Sequence, residues 1–91
     1  MAPEPQSTAN PFTLDEALAW VAEMFEEDPA GVKEDTRRLD IPAWDSLGQL
    51  VLMSKLDERF GIRLAEAELS KLQAVRDILD VLRKHGQLSG D

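Results

Sequence analysis

Apolar residues recur at helical spacing in three segments of this chain, and no segment alternates apolar and polar residues as a half-buried strand does. A chain of 91 residues has room for one hydrophobic core. The pattern therefore predicts a single all-α domain, a small bundle in which each helix buries one face. The first segment carries Leu14, Ala17, Leu18, Val21 and Phe25, and the last carries Val75, Ile78, Leu79 and Leu82.

The first helix has a start signal and a stop signal. Thr13 and Glu16 fit a capping box, and Asp28-Pro29 is expected to end the helix. Residues 32–44 show neither helical nor strand periodicity, which predicts a long ordered loop between helices one and two. The predicted apolar anchors of this loop are Val32, Leu39, Ile41 and Trp44.

The second helix is predicted to run from Ser46 to Phe60. Asp45 suits the N-cap position, and Gly61 suits a left-handed stop. At about 100° per residue, Leu47 and Val51 fall outside the apolar arc and have no evident place in the core. The residues within the arc are Leu50, Leu52, Met53, Leu56 and Phe60.

The rest of the chain predicts a short helix around Ala65–Leu69 and a last helix that stops at Gly86. The expected architecture is thus three main helices, one short helix and a long first connection. Residues 13–86 form the predicted domain, residues 1–12 a flexible proline-containing N-terminal tail, and residues 87–91 a C-terminal tail. The anchors around the short helix are Ile62, Leu64, Leu69 and Leu72.

Few side chains of this sequence suit catalysis. With no cysteine and a single histidine, His85, the chain is not expected to hold disulfides or Cys/His metal sites. A nucleophilic serine needs a base within reach, whereas His85 is predicted at the far end of the last helix, where a cation suits the helix dipole. Residues 26–28 are acidic but lack the ligand spacing of a calcium loop. We therefore expect no catalytic residue, no metal site and no enzymatic activity.

The charge of the chain limits its partners. A net charge of −8 repels nucleic acid and anionic lipid and favours protein partners with basic surfaces. No apolar run approaches the roughly 18 residues of a membrane span, and residues 1–11 do not resemble a signal peptide. We expect a monomeric cytoplasmic protein that does not insert into membranes.

Ser46 is the residue best placed for modification. A hydroxyl in the first turn of a helix is exposed, and a phosphate esterified to it would lie near free backbone amides and the positive end of the helix dipole. Asp45-Ser46 is equally compatible with ordinary helix capping, so the dipeptide alone does not decide its role.

The surrounding sequence is more informative. Trp44-Asp45-Ser46-Leu47-Gly48 and the later Leu56-Asp57-Glu58-Arg59-Phe60-Gly61 resemble the acyl carrier protein family, in which Asp-Ser-Leu opens the second helix. The resemblance covers roughly residues 13–86. It implies that a phosphopantetheinyl transferase attaches 4′-phosphopantetheine from coenzyme A to Ser46, and that Asp45 helps to present the site. A loading ligase and downstream synthase or transferase enzymes would then use the thiol of this arm.

The same resemblance implies contacts with partner proteins. Leu47 and Val51 would be exposed apolar contacts beside the arm, and Asp57 and Glu58 match acidic positions that meet basic partner surfaces. An ordinary solvated surface also accounts for these four residues. Met53, Leu56 and Phe60 are expected in the core, with a role in lining the cargo left open.

Several residues depart from the carriers of primary fatty-acid synthesis. Gly48 and Val51 replace acidic residues, Lys55 lies among them, and Trp44 replaces a small residue. These departures favour a carrier of a specialised pathway, either secondary-metabolite or modified-lipid. An aminoacyl or peptidyl carrier, and an unmodified interaction module of the same fold, remain as alternatives.

Overall fold

A computed structural model describes residues 12–88. Within this range the chain forms helices and no strand, which confirms the predicted all-α bundle of three main helices and one short helix. None of the helices in this range is long and apolar enough to cross a membrane. The α-helices are α1 (Leu14–Met24), α2 (Ser46–Phe60), α3 (Glu66–Leu69) and α4 (Val75–Lys84), and short 3-10 helices form at Pro29–Gly31 and Arg38–Asp40.

Side chains cap the starts of α1 and α2 as predicted. The Thr13 hydroxyl accepts a hydrogen bond from the Glu16 backbone N–H at 3.1 Å, and the Glu16 carboxylate accepts one from the Thr13 N–H at 3.0 Å. Asp45 caps α2 by accepting from the Gly48 N–H at 2.9 Å. These bonds satisfy amides that have no partner within the helix, and so they determine where each helix begins.

The ends of the helices depend on residues with positive φ. Gly61, at φ 68°, ends α2 as predicted. The first helix ends at Met24, earlier than the expected stop at Asp28-Pro29. Glu26 adopts φ 58°, and the Glu27 N–H donates to the Ala22 carbonyl at 2.7 Å, which closes the helix before the proline is reached.

Backbone hydrogen bonds attach the long loop to the start of α4. The Arg38 N–H donates to the Gln73 carbonyl, and the Val75 N–H donates to the Thr36 carbonyl, both at 2.8 Å. Trp44 is buried and stacks on Phe25, with ring centroids 5.2 Å apart. The loop is therefore ordered, and it delivers the chain to α2 along a defined path. Three predicted anchors are buried, namely Val32, Ile41 and Trp44.

Two residues predicted in the core lie on the surface. Leu39 is 85% exposed and Leu50 is 53% exposed, so both predictions were wrong. Leu39 lies in the Arg38–Asp40 turn, whose backbone rather than its leucine side chain contacts the rest of the domain. The buried face of α2 is rotated relative to the predicted arc: at about 100° per residue it takes in Gly48 and leaves out Leu50. The buried residues of α2 are Gly48, Gln49, Leu52 and Leu56, while Met53 and Phe60 are half-buried.

Residues just outside the predicted domain, before its start and after its end, also pack on the bundle. The Phe12 N–H donates to the Gln87 carbonyl at 2.9 Å, and Leu88 is buried. The Phe12 ring meets the Phe60 ring edge-on at 5.4 Å and lies 6.0 Å from the Trp20 ring. Ordered packing thus extends to residues 12 and 88. The predicted tails otherwise fall at 1–11 and 89–91, outside the described residues.

Candidate functional site

The site lies at the start of α2, where Ser46 is the first helical residue. Ser46 is exposed, and its hydroxyl has no hydrogen-bond partner among residues 12–88. The carboxylate of Asp45 is turned to the Gly48 N–H, and its carbonyl accepts from the Gln49 N–H at 2.8 Å. The capping bonds therefore hold the first turn rigid while the hydroxyl of Ser46 remains available to a modifying enzyme.

Gly48 allows the loop to pass directly against this turn. A Cβ at position 48 would collide with the carbonyl oxygen of Ala43 and lie 3.4 Å from the Phe25 ring. Sequence analysis identified Gly48 only as a departure from an acidic residue. The structure shows that a side chain of any size is excluded there, because the backbone of residue 43 occupies the space.

Gln49 is a buried polar residue that sequence analysis missed. Its side-chain oxygen accepts from the Trp44 indole Nε1 at 2.6 Å, and its side-chain nitrogen donates to the Leu69 carbonyl at 2.8 Å. It therefore joins the loop, α2 and α3 behind the exposed serine. One signal was available in the sequence: a buried Trp44 needs an acceptor for its indole N–H, and a glutamine five residues later can supply one.

A cleft of about 520 Å³ opens beside Ser46 between α2 and α3. The cleft is lined by the guanidinium of Arg38, the carboxylate of Glu66 and apolar side chains of α2. A second cleft, of about 390 Å³, lies on the loop side of Ser46 and is also lined by Arg38. Residues lining the first cleft include Arg38, Ser46, Leu50, Met53, Glu66 and Ser70.

Four large exposed apolar residues occur in the described part of the chain, and all four lie around the site. Leu47 is 70% exposed and Val51 37% exposed, and both line a surface depression with Asp45. Leu50 lines the cleft between α2 and α3 with Ser46, and Leu39 lines the loop-side cleft with Ser46. We call these residues, Leu39, Leu47, Leu50 and Val51, the apolar rim. Exposed apolar side chains gathered around one position can mark an interaction site.

The predicted acidic contacts lie apart from the apolar rim. At about 1.5 Å per residue, Asp57 is roughly 17 Å along α2 from Ser46. The Asp57 carboxylate pairs with the Arg63 guanidinium at 3.4 Å, and the Glu58 carboxylate accepts from the Ser54 hydroxyl at 3.4 Å. Both residues are exposed. Glu58 lies on the same face of α2 as Val51 but about two turns further along the helix.

Residues 12–88 contain no cluster of three side chains suited to hold a metal ion. His85 lies beyond the end of α4, with its Nδ1 3.0 Å from the Val81 carbonyl oxygen. It lines a cleft with Leu64 and Glu68, and Ser46 is not part of that cleft. The clefts beside Ser46 therefore do not include His85.

Comparison with known proteins finds relatives that are named acyl carrier proteins. An acyl carrier protein of Thermosynechococcus vestitus is 32% identical over 69 residues, covering 76% of this chain and 85% of the relative. An acyl carrier protein of Campylobacter concisus is 28% identical over 67 residues, covering 74% and 87%. Polyketide-8 synthase acyl carrier protein 2 of Streptomyces avermitilis is 28% identical over 78 residues, covering 86% and 90%. No family model matches the chain.

Proposed function

This chain belongs to the acyl carrier protein family, and we propose that it holds acyl intermediates as thioesters on a 4′-phosphopantetheine arm attached to Ser46. It is a carrier and not an enzyme. The arm, when bound, supplies the thiol that the cysteine-free chain lacks. The proposal includes a cytoplasmic location, because coenzyme A, the donor of the arm, is an intracellular metabolite.

The observation that carries the proposal is the exposed hydroxyl of Ser46 at the start of α2, which has no hydrogen-bond partner within residues 12–88. An ester at this oxygen places its phosphate beside the first amides of a 15-residue helix, where negative charge is favoured. In the attachment step the Ser46 oxygen bonds to the phosphorus of the phosphopantetheine phosphate, the pyrophosphate P–O bond breaks, and the nucleotide part of coenzyme A leaves with its phosphates. We propose that the transferase takes up the hydroxyl proton, because the Asp45 carboxylate beside Ser46 is engaged in the capping bond to the Gly48 N–H.

Asp45 positions the site through a hydrogen bond to the backbone of α2. Its capping bond to the Gly48 N–H holds the first turn of α2 in place, and this turn positions the Ser46 hydroxyl. We propose that its second carboxylate oxygen faces the transferase and its metal ion. The transferase thus meets a rigid helix end and does not have to order it.

The apolar rim supports a role in docking. Each partner must bring its active site to the arm, and Leu39, Leu47, Leu50 and Val51 offer apolar contacts around its point of attachment. We propose that Glu58, and to a smaller degree Asp57, steer basic partners from a more distant position on α2. Weak docking of this kind lets the carrier leave one enzyme for the next, while the arm gives a high local concentration of cargo.

The proposal extends to the partner enzymes and the type of pathway. We propose a phosphopantetheinyl transferase, a loading ligase and downstream synthase or transferase enzymes of a specialised pathway. Gly48, Val51 and Lys55 leave the first part of α2 without acidic side chains, which supports a partner set different from that of primary fatty-acid synthesis. One relative is named for a polyketide synthase, which is consistent with this assignment.

The test is an intact-mass measurement before and after incubation with coenzyme A and a broad-specificity phosphopantetheinyl transferase, followed by peptide mapping. We expect one phosphopantetheinyl group on Ser46. Ser46→Ala should fold normally and gain no mass. Ser54→Ala, which removes another exposed α2 hydroxyl, is the matched control and should be modified like the wild type.

Other results would point to the alternatives. A folded wild-type protein that gains no mass would favour an unmodified interaction module, and modification of Ser46→Ala would refute the assignment of the residue. A modified protein that ligases load with amino acids but not with acyl groups would show an aminoacyl or peptidyl carrier.

A further inference from the structure

We propose that Arg38 binds the phosphodiester that joins the arm to Ser46 and thereby holds the resting arm against the cleft between α2 and α3. This inference rests on the proposed function, because the phosphodiester exists only in the modified protein. It assigns a binding role to a loop residue that the helix pattern and the sequence motif did not identify.

Arg38 is held close to the site by its own hydrogen bonds. Its backbone N–H donates to the Gln73 carbonyl at 2.8 Å, and its side-chain Nε donates to the Trp44 carbonyl at 3.0 Å. Trp44 lies two residues before Ser46, and the Arg38 side chain is half-buried. The guanidinium is therefore positioned beside the start of α2 before any ligand is present, which lowers the entropy lost on binding.

No carboxylate in the described part of the chain forms an ion pair with Arg38. Among residues 12–88, ion pairs join Asp57 to Arg63 and Asp80 to Arg83, and Arg38 takes part in neither. The two acidic residues that share its clefts are Asp45 and Glu66, and neither forms an ion pair with it. The Asp45 carboxylate instead accepts from the Gly48 N–H. Although the chain has a net charge of −8, it thus places beside Ser46 a cation that forms no ion pair within residues 12–88.

The free part of this guanidinium suits a phosphodiester. Because Nε is bonded to Trp44, both Nη groups remain as donors, and a planar guanidinium matches two phosphate oxygens in a fork geometry. Arg38 and Ser46 line the same two clefts, so a phosphate on the Ser46 oxygen enters the space that the guanidinium borders.

The position of Arg38 also gives the arm a direction. Besides Arg38 and Ser46, the lining of the larger cleft includes Leu50, Met53 and Ser70. An arm held at its phosphate end therefore lies along the apolar side chains of α2 and near the polar side chain of Ser70. A partner that covers the apolar rim would displace the arm from this cleft, so that the thiol becomes available as docking occurs.

The test uses NMR on the full chain in its unmodified and phosphopantetheine-modified forms, with complete modification verified by intact mass. The arginine Nε–Hε and guanidinium resonances report on Arg38, and the phosphorus resonance reports on the diester itself. Arg38→Gln removes the charge, and Arg63→Gln is the matched control, because Arg63 lies beyond the opposite end of α2.

We expect the Arg38 resonances to shift on modification while those of Arg63 do not. The phosphorus resonance of Arg38→Gln should differ from that of the wild type, and Arg63→Gln should match the wild type. Unchanged Arg38 resonances in a fully modified wild-type protein would overturn the inference without the use of any variant. An identical phosphorus resonance in all three modified proteins would also overturn it. A protein that gains no mass would instead refute the proposed function.

Discussion

The indole Nε1 of Trp44 donates a hydrogen bond to the side-chain oxygen of Gln49 across 2.6 Å in the interior of the domain. The side-chain nitrogen of Gln49 in turn donates to the carbonyl of Leu69. Trp44 ends the long loop, Gln49 lies in the second turn of α2, and Leu69 ends α3. This pair therefore connects the three segments that surround Ser46, and it does so with polar groups that have little access to water.

Gln49→Leu should destabilise the domain. The substitution introduces an apolar side chain of similar size and leaves the Trp44 N–H buried without its acceptor. The Leu69 carbonyl loses the bond from Gln49 but keeps the one that it accepts from the Leu72 N–H at 3.1 Å. We expect a loss of about 1–3 kcal/mol in the free energy of unfolding, measured by urea denaturation. Gln73→Leu, which replaces an exposed glutamine, should change it by less than about 0.5 kcal/mol.

A double-mutant cycle with Trp44→Phe tests whether the bond itself is responsible. Trp44→Phe removes the donor and leaves the Gln49 oxygen unsatisfied, so the two substitutions should be non-additive by about 0.5–3 kcal/mol. Strict additivity would show that Gln49 acts through its contact with Leu69 or through packing, and not through Trp44.

Gly48→Ala should be costly although it adds a single methyl group. The new Cβ would collide with the Ala43 carbonyl, so either the loop or the first turn of α2 must move. We expect a loss of about 1–3 kcal/mol in unfolding free energy, together with slower modification of Ser46 because the site is displaced. Gly31→Ala is the control: no atom lies within 4 Å of the added Cβ, and stability should rise by at most about 1 kcal/mol.

Leu39→Ala and Leu47→Ala should weaken docking without affecting the fold. Both side chains are largely exposed, so unfolding free energies should stay within about 0.5 kcal/mol of the wild type. If the apolar rim contacts the transferase, kcat/KM for modification should fall about 5- to 10-fold for each variant, which corresponds to roughly 1 kcal/mol or slightly more. Lys71→Ala, an exposed residue outside the apolar rim, should leave it unchanged. Wild-type kinetics in both leucine variants would exclude the apolar rim from this encounter.

Glu58→Gln should slow association with a basic partner more than Asp57→Asn does. The Arg63 guanidinium already offsets the charge of Asp57, whereas Glu58 bonds to the neutral Ser54 hydroxyl. We expect a decrease in association rate of about 2- to 5-fold for Glu58→Gln at low salt, measured by stopped-flow binding, and a smaller effect for Asp57→Asn. The difference should vanish at about 1 M salt, where charges are screened within about 3 Å. Equal effects of the two substitutions would show that Arg63 does not shield Asp57.

Local signals predicted the helices well because they act within one or two turns. The residues that cap α2, Asp45 and Gly61, lie at the two ends of the predicted segment Ser46–Phe60, and the helix has these bounds in the structure. The stop of α1 was placed too late, since the left-handed conformation falls on Glu26, a residue type that seldom adopts it. The sequence pattern does not predict a left-handed conformation at a glutamate.

The sequence by itself thus determined the number and order of the helices, the bounds of α2 with the cap that places Ser46 at its start, and the exposure of Leu47. Only the tertiary structure decided which flank of α2 is covered, and so it placed Gln49 inside and Leu50 outside. It also brought the loop residue Arg38 to the start of α2, where no carboxylate of residues 12–88 pairs with it. The physical reason is the range of the interactions. A cap joins residues three positions apart, whereas Gln49 meets a carbonyl 20 positions away, and such a contact exists only once the whole bundle has packed.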